Sequence, residues 1–220
     1  MNPEFRSALD FALTCAATPG RAPAMRAYMR GQFDFLGVAT PQRRLAARTL
    51  LQQLKGTGAD NILHYAHELW KLPQREYQYV AVDLLAMHNK QLELAHIPPL
   101  LELVQSKSWW DTVDALASVI SDVLHYRHDG MDRALSSENM WVRRVALLHQ
   151  LGWRDKVDID RLFAYSLALA HEKEFFIQKA LGWALRDYAR FNPDAVRAFT
   201  LNEKQRLSAL SYREANKHLI

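Results

Sequence analysis

The stretch that decides the fold is VRRVALL at residues 142–148, because it is one of six related windows rather than a unique segment. Upstream stand QRRLAAR from Gln42, YQYVAVD from Tyr77 and WDTVDAL from Trp110; downstream stand IQKALGW from Ile177 and YREANKH from Tyr212. Successive starts, 42, 77, 110, 142, 177 and 212, differ by 35, 33, 32, 35 and 35 residues. Each window opens on polar or charged residues and mostly continues into small and aliphatic ones. A period of this length, spent on two short helices, predicts an all-α fold: an α-α superhelix, or solenoid, of about six HEAT-like helical hairpins. One hairpin cannot bury its own apolar stripe, so neighbours must stack, and the second helices then line one concave wall.

The rest of the chain agrees with helices. Prolines 3, 19, 23, 41, 73, 98, 99 and 193 each fall at or near the start of a helical run, where a missing N–H costs least. Apolar residues recur at spacings of three and four, with little period-two alternation. The hydrophobic share of 49% over 220 residues suffices for a continuous core, and the sequence reads as one domain over residues 1–220. No apolar run reaches the roughly 18 residues of a membrane span, and the N-terminus shows no signal-peptide core. Cys15, the only cysteine, excludes disulfides within the chain and Cys-based zinc sites, and points to a reducing compartment.

The net charge is +4 and the isoelectric point about 9.2. This is compatible with a polyanionic partner and equally with none; the placement of the charges matters more. The second and third positions of the windows hold Arg43/Arg44, Gln78/Tyr79, Asp111/Thr112, Arg143/Arg144, Gln178/Lys179 and Arg213/Glu214. Stacking would align the recurring cations into a basic stripe able to follow a phosphate backbone; for any one of them a solvated charged face is the alternative.

Three places resist a purely structural explanation. In the run from Lys107 to Asp114, Ser108 is a plausible N-cap with Asp111 as its capping-box partner, and Trp109, Val113, Leu116, Ile120 and Leu124 form a core stripe. Trp110 turns about 100° away from that stripe and Asp114 follows one turn later on the same flank. They form either a candidate site or a half-buried indole beside a solvated carboxylate. In a helix over 137–151, Trp141, Val145, Leu148 and Leu151 define the apolar arc. Arg143 points away from it like a surface arginine, whereas Arg144 falls inside it. A guanidinium there must be paired or aimed at something bound, and Asp114 of the preceding repeat is an available partner. In a helix over 174–190, Ile177, Ala180, Leu181, Ala184 and Tyr188 make the buried face. Trp183 projects opposite, amid Lys179, Arg186 and Arg190, as an indole does where nucleotides are stacked and their phosphates held. Gly182 inside that helix costs about 1 kcal/mol against Ala, which close approach of a partner or a neighbouring helix would explain.

Other motifs carry little. The pairs His64/His67 and His125/His128 lack accompanying carboxylate ligands, so no metal is assigned. The GTG at 56–58 has no phosphate-loop spacing and reads as a linker. No Gly-x-Ser-x-Gly elbow is present, and Cys15 has no evident His partner.

The segments MRAYMRGQFDFLGVATPQRR (25–44), LWKLPQREYQYVAVDLL (69–85), SKSWWDTVDAL (106–116), MWVRRVALLHQL (140–151), EFFIQKALGWALRDYAR (174–190) and SYREANKH (211–218) together resemble the AlkD family of DNA alkylation repair proteins, HEAT-like-repeat alkylpurine glycosylases. The resemblance runs in order along nearly the whole chain. It implies hydrolysis of the N-glycosidic bond of N3- and N7-alkylated purines in double-stranded DNA, without a deep base-flipping pocket and without metal or organic cofactor. The family's catalytic aspartate falls on Asp114, its site tryptophans on Trp110 and Trp183, its essential arginine on Arg144, and its N-terminal DNA-facing tyrosine on Tyr28. By the resemblance Arg144 would hold a phosphate or position Asp114. Arg143 departs from the family, where an uncharged polar residue is expected. The implied DNA-binding set is Tyr28, Arg43, Arg44, Lys107, Arg143, Lys179, Arg186, Arg190, Arg213 and Lys217, in a monomer of the cytoplasm associated with the nucleoid. Two alternatives remain at this level: a non-catalytic DNA or RNA binder on the same basic surface, and a protein-interaction solenoid in which Trp183 docks a peptide.

Overall fold

The computed structural model describes residues 1–219 and is all-helical, with no strand among them. The helices are α1 Pro3–Ala16, α2 Ala22–Tyr28, α3 Thr40–Gln53, α4 Ala59–Lys71, α5 Arg75–Met87, α6 Ile97–Gln105, α7 Trp110–Leu124, α8 Met131–Leu135, α9 Met140–Leu148, α10 Ile159–Ala168, α11 Phe175–Tyr188, α12 Pro193–Asn202 and α13 Ala209–Ala215. The six repeat windows coincide with α3, α5, α7, α9, α11 and α13, and each window starts within the first few residues of its helix. The chain divides into two compact units, residues 1–99 and 100–219, with the boundary inside α6.

In the first unit α3 packs on α1 and on α5, and α5 on α4. Pro3, Pro23 and Pro41 sit in the first turns of α1, α2 and α3 as expected, and Gly58 with φ +89° leads from the 56–58 linker into α4. The segment after α2 is tied down by the wholly buried Glu76, whose carboxylate accepts from the backbone N–H groups of Leu36, Gly37 and Val38 at 2.9–3.0 Å. Arg75, equally buried, lays its guanidinium 3.7 Å from the Phe33 ring centroid.

In the second unit α7, α9, α11 and α13 stand side by side, each packed on the next. Helices α8, α10 and α12 support this row: α8 packs on α9, α10 on α9 and α11, and α12 on α11 and α13. Most of each predicted stripe is buried: Val113, Leu116, Ile120 and Leu124 on α7, Trp141, Val145 and Leu148 on α9, and Ile177, Ala180, Leu181 and Ala184 on α11, whereas Trp109 and Tyr188 are half-buried. Caps set the entries, with Asn139 Oδ1 accepting from Trp141 N, Asp158 Oδ1 from Arg161 N and Ser208 Oγ from Ser211 N.

Two local expectations are corrected. Ser108 does not cap α7; its hydroxyl donates to the carbonyl of Val104 at 2.7 Å, satisfying an orphan acceptor of the last turn of α6. Trp109, in extended backbone, occupies the cap position with no side-chain bond. Helix α9 also ends at Leu148, three residues before the predicted end, so Leu151 is exposed rather than in the apolar arc.

Candidate functional site

The row α7–α9–α11–α13 places one candidate side chain after another along a line of contacts. Asp114, on the second turn of α7, receives Arg144 of α9 in a bidentate fork: Nε to Oδ1 at 2.7 Å and Nη2 to Oδ2 at 2.8 Å. The third guanidinium nitrogen, Nη1, donates to the backbone carbonyl of Phe176 on α11. The Arg144 side chain is only 1% exposed, whereas Asp114 keeps 26% of its side chain open to solvent. Arginine has donors only, and here all three of its nitrogens are engaged within the protein. Arg144 is thus paired with Asp114 and the Phe176 carbonyl within the protein.

An aromatic trio, Trp109, Trp141 and Phe176, with ring centroids 5.0–5.9 Å apart, adjoins the pair through Phe176. The guanidinium of Arg144 lies 5.8 Å from the Phe176 centroid and 5.3 Å from that of Trp183. Planar guanidinium stacks well on π faces, and the low-dielectric surroundings strengthen its fork to Asp114. Trp110, in the first turn of α7, is half-buried on the flank that carries Asp114.

Trp183 differs from its expected setting. It is half-buried, and the cations over its ring are Arg144 and Lys179, the latter with Nζ 5.4 Å from the centroid. Arg190 instead faces Asp187 at 3.9 Å and is exposed. The indole Nε1 donates to Glu214 Oε2 on α13 at 3.3 Å. The same carboxylate takes Lys179 Nζ on Oε1 and Arg186 Nη1 on Oε2, both at 2.9 Å. Burial raises the Glu214 carboxyl, but the hydrogen bond and charge of Lys179, the charge of Arg186 and the indole N–H outweigh it, leaving the group below the usual carboxylate range. Gly182 belongs to this contact: a Cβ there would lie 2.4 Å from Glu214 Cβ and 3.0 Å from the Ser211 carbonyl oxygen, so the neighbouring helix accounts for the glycine.

Among the remaining cations, two are not the exposed groups the repeat pattern predicts. Arg43 is buried, with Nε and Nη2 on Asp83 at 3.2 and 3.0 Å. Arg143 forks onto Glu172 at 2.6 and 2.9 Å and donates to the carbonyls of Ser137 and Glu138, so its extra charge is neutralised inside the unit. Arg44 is exposed although it touches Asp83 at 3.2 Å, and Arg213 and Lys217 are exposed at the end of the row. Lys107 is half-buried in the turn before α7, at φ +48°. In the first unit Tyr28, 71% exposed, lines an open depression of about 430 Å³ with Arg21, Met25, Phe35 and Tyr79.

Sequence reasoning missed Glu214, Glu172 and Phe176. A signal existed: Asp114–Arg144, Arg143–Glu172, Trp183–Glu214 and Lys179–Glu214 are separated by 30, 29, 31 and 35 residues, close to one repeat period. Partners of a stranded charge lie at the equivalent height of the adjacent repeat. Among the described residues no group of three or more His, Cys, Asp or Glu side chains could hold a metal ion, and no helix is long and apolar enough to cross a membrane.

Fold and site together define a helical-repeat protein whose row of second helices carries a forked Asp114–Arg144 pair, with the Trp183 ring against the arginine. The family model for DNA alkylation repair enzymes matches residues 10–219, and the chain belongs to that family. Among solved structures it is similar to a predicted DNA alkylation repair enzyme from Enterococcus faecalis, with 32% identity, a TM-score of 0.85, and coverage of 92% of this chain and 96% of that one. It shares its fold with AlkD2 from Streptococcus mutans, at 20% identity and a TM-score of 0.64 over 82% of this chain and 90% of that one. No curated protein sequence matches it.

Proposed function

We propose that the protein is a monofunctional DNA glycosylase that hydrolyses the N-glycosidic bond of N3- and N7-alkylated purines in duplex DNA, opening base excision repair. The observation that carries this reading is the Asp114 carboxylate, forked by a buried arginine yet open on its other side. Membership of the DNA alkylation repair enzyme family supports it.

Alkylation at N3 or N7 makes the purine cationic, which weakens the glycosidic bond before any protein acts. The bond breaks heterolytically, its electron pair leaving with the purine and cancelling the purine's charge, and C1′ becomes electron-poor. Asp114 offers negative charge to that centre without moving, because Arg144 fixes both its oxygens; such preorganised electrostatics is usually the largest catalytic contribution. A water adds through oxygen to C1′, and the proton it loses passes to Asp114 or to solvent. Trp110 and Trp183 supply π faces to the cationic sugar and lesion. Exposed Arg44, Arg190, Arg213 and Lys217, with Tyr28, are the side chains offered to the DNA backbone. Lys179 and Arg186 are half-buried on Glu214 and would reach a phosphate only by exchanging that partner. We further propose that the protein acts as a monomer in the cytoplasm, on nucleoid DNA.

Incubation with duplex DNA containing 7-methylguanine tests the reading. Release of free base with an abasic strand, lost in Asp114→Asn while DNA binding persists, is the expected result. Salt-sensitive binding with no base release by the wild type would reduce the protein to a non-catalytic binder.

A further inference from the structure

The line of contacts does not stop at the three catalytic helices. Asp114 on α7 meets Arg144 on α9, Arg144 meets the ring of Trp183 on α11, and the edge of that ring meets Glu214 on α13. Glu214 is thus the outermost member, 12% exposed in its side chain, and it binds three groups of α11 at once: the indole N–H, Lys179 and Arg186.

A tryptophan on the side of a helix has two torsions, and the helix backbone alone leaves more than one rotamer open to the ring. Lys179, one turn earlier, brings its ammonium within 5.4 Å of the ring centroid. The bond from Nε1 to Glu214 Oε2 at 3.3 Å restricts the remaining freedom, because an N–H···O angle prefers to exceed about 150° and so ties the ring edge to the place of the acceptor. Glu214 can give that bond only from where it stands. Its own Cβ sits against Gly182, in space that any other residue at 182 would fill, and Ser211 Oγ docks the preceding turn by donating to the Gln178 carbonyl at 3.0 Å. Helix α13 is therefore held at a spacing that brings a carboxylate to the indole edge. The two cations beside it keep that group ionised.

We infer that Glu214 is a positioning residue: it holds the Trp183 ring in place against the Asp114–Arg144 pair, and it does so in competition with DNA for Lys179 and Arg186. This deepens the glycosylase reading and rests on it for the effect on rate, but not for the effect on Trp183. Loss of the carboxylate releases the ring and frees two cations, so the chemical step slows while affinity for DNA does not fall.

The test uses the full chain labelled with 5-fluorotryptophan, in which six fluorine resonances are expected from the six tryptophans. Trp183→Phe identifies the one that belongs to Trp183. In Glu214→Ala that resonance should shift while the other five stay, and single-turnover release of 7-methylguanine should fall about tenfold, since small misplacements of a positioned group are costly. Binding of undamaged duplex should be unchanged or tighter. Glu214→Gln keeps an oxygen to accept from the indole and should recover most of the lost rate and the Trp183 shift, while binding DNA at least as tightly as Glu214→Ala. A Trp183 resonance that does not move in Glu214→Ala, or six that move together, overturns the inference, because the residue then only packs α13 or does nothing. A moved resonance with an unchanged rate overturns it as well. If the wild type releases no base, the glycosylase reading falls, and the resonances alone decide whether Glu214 positions the ring.

Discussion

Gly182→Ala sets two principles against each other, and the structure decides between them. Gly182 lies in the interior of α11, where exchange for alanine gains about 1 kcal/mol of helix propensity. Against this, the new methyl would stand 2.4 Å from Glu214 Cβ and 3.0 Å from the Ser211 carbonyl oxygen. Carbon–carbon contact becomes favourable only near 3.5–4.0 Å, so α13 would have to withdraw by about 1 Å. Neither obstacle can step aside alone, since one is a backbone atom and the other a Cβ fixed to its helix. Overpacking of this kind costs about 1–3 kcal/mol, and withdrawal also stretches the bonds from Glu214 to Trp183, Lys179 and Arg186. The balance is a net loss on the order of 1–2 kcal/mol, seen as a melting temperature lower by roughly 2–8 °C for a chain of this size. Differential scanning calorimetry of the two proteins reads this directly. A variant that melts above the wild type would show that propensity wins, and that the close approach of α13 to α11 has been misjudged.

Further outcomes follow from the same contacts. Arg144→Lys leaves a point donor where a fork spans both Asp114 oxygens and the Phe176 carbonyl, so base release should fall at least about tenfold and stability by about 1–3 kcal/mol, with DNA affinity kept; a variant that loses affinity at unchanged single-turnover rate would mean that Arg144 serves phosphate. Arg143→Gln and Arg213→Gln should separate in a salt titration of binding. The exposed Arg213 should cost about 0.9 in the slope of log K against log salt, and Arg143, spent on Glu172, should cost stability but no slope. Equal slope changes would contradict the assignment. Finally, His149 is buried beside His128, Trp153 and Tyr165, and burial above all pushes its pKa from 6.5 down to about 4. The folded state thus excludes a proton that the unfolded state binds. The stability is fully present above pH 6.5 and is lost as pH falls toward 4, by roughly 3 kcal/mol over that window. Denaturant unfolding at pH 7 and pH 4.5 should show this loss, reduced in His149→Gln; equal losses in both proteins would remove His149 as its source.

Much of the fold was legible because helices are local objects. Proline at first turns, apolar residues three and four apart, and a period of 32–35 residues depend on near neighbours and on repetition, and both are written in the chain. The same wheels isolated Trp110, Asp114, Arg144 and Trp183 as residues without a sufficient role in a helix, and the resemblance gave them roles. Helix ends were less legible. The cap of α7 failed because Trp109, not Ser108, occupies the cap position, and the Ser108 hydroxyl instead donates back to the Val104 carbonyl at the end of α6.

What the sequence by itself determined, then, is which faces of which helices are apolar and which side chains stand out from that pattern. Apart from the Asp114–Arg144 pair, which the sequence offered as one alternative, tertiary structure decided what each outlier meets. Arg43, Arg143 and Arg213 hold the same kind of recurring basic position in their windows, yet Asp83 and Glu172 take the first two into buried or half-buried pairs, whereas Arg213 stays exposed. The reason is that the cost of burying a charge depends on a partner about one repeat away in the chain and a few ångströms away in space. No helical wheel contains that distance, and it is set only when the helices stack.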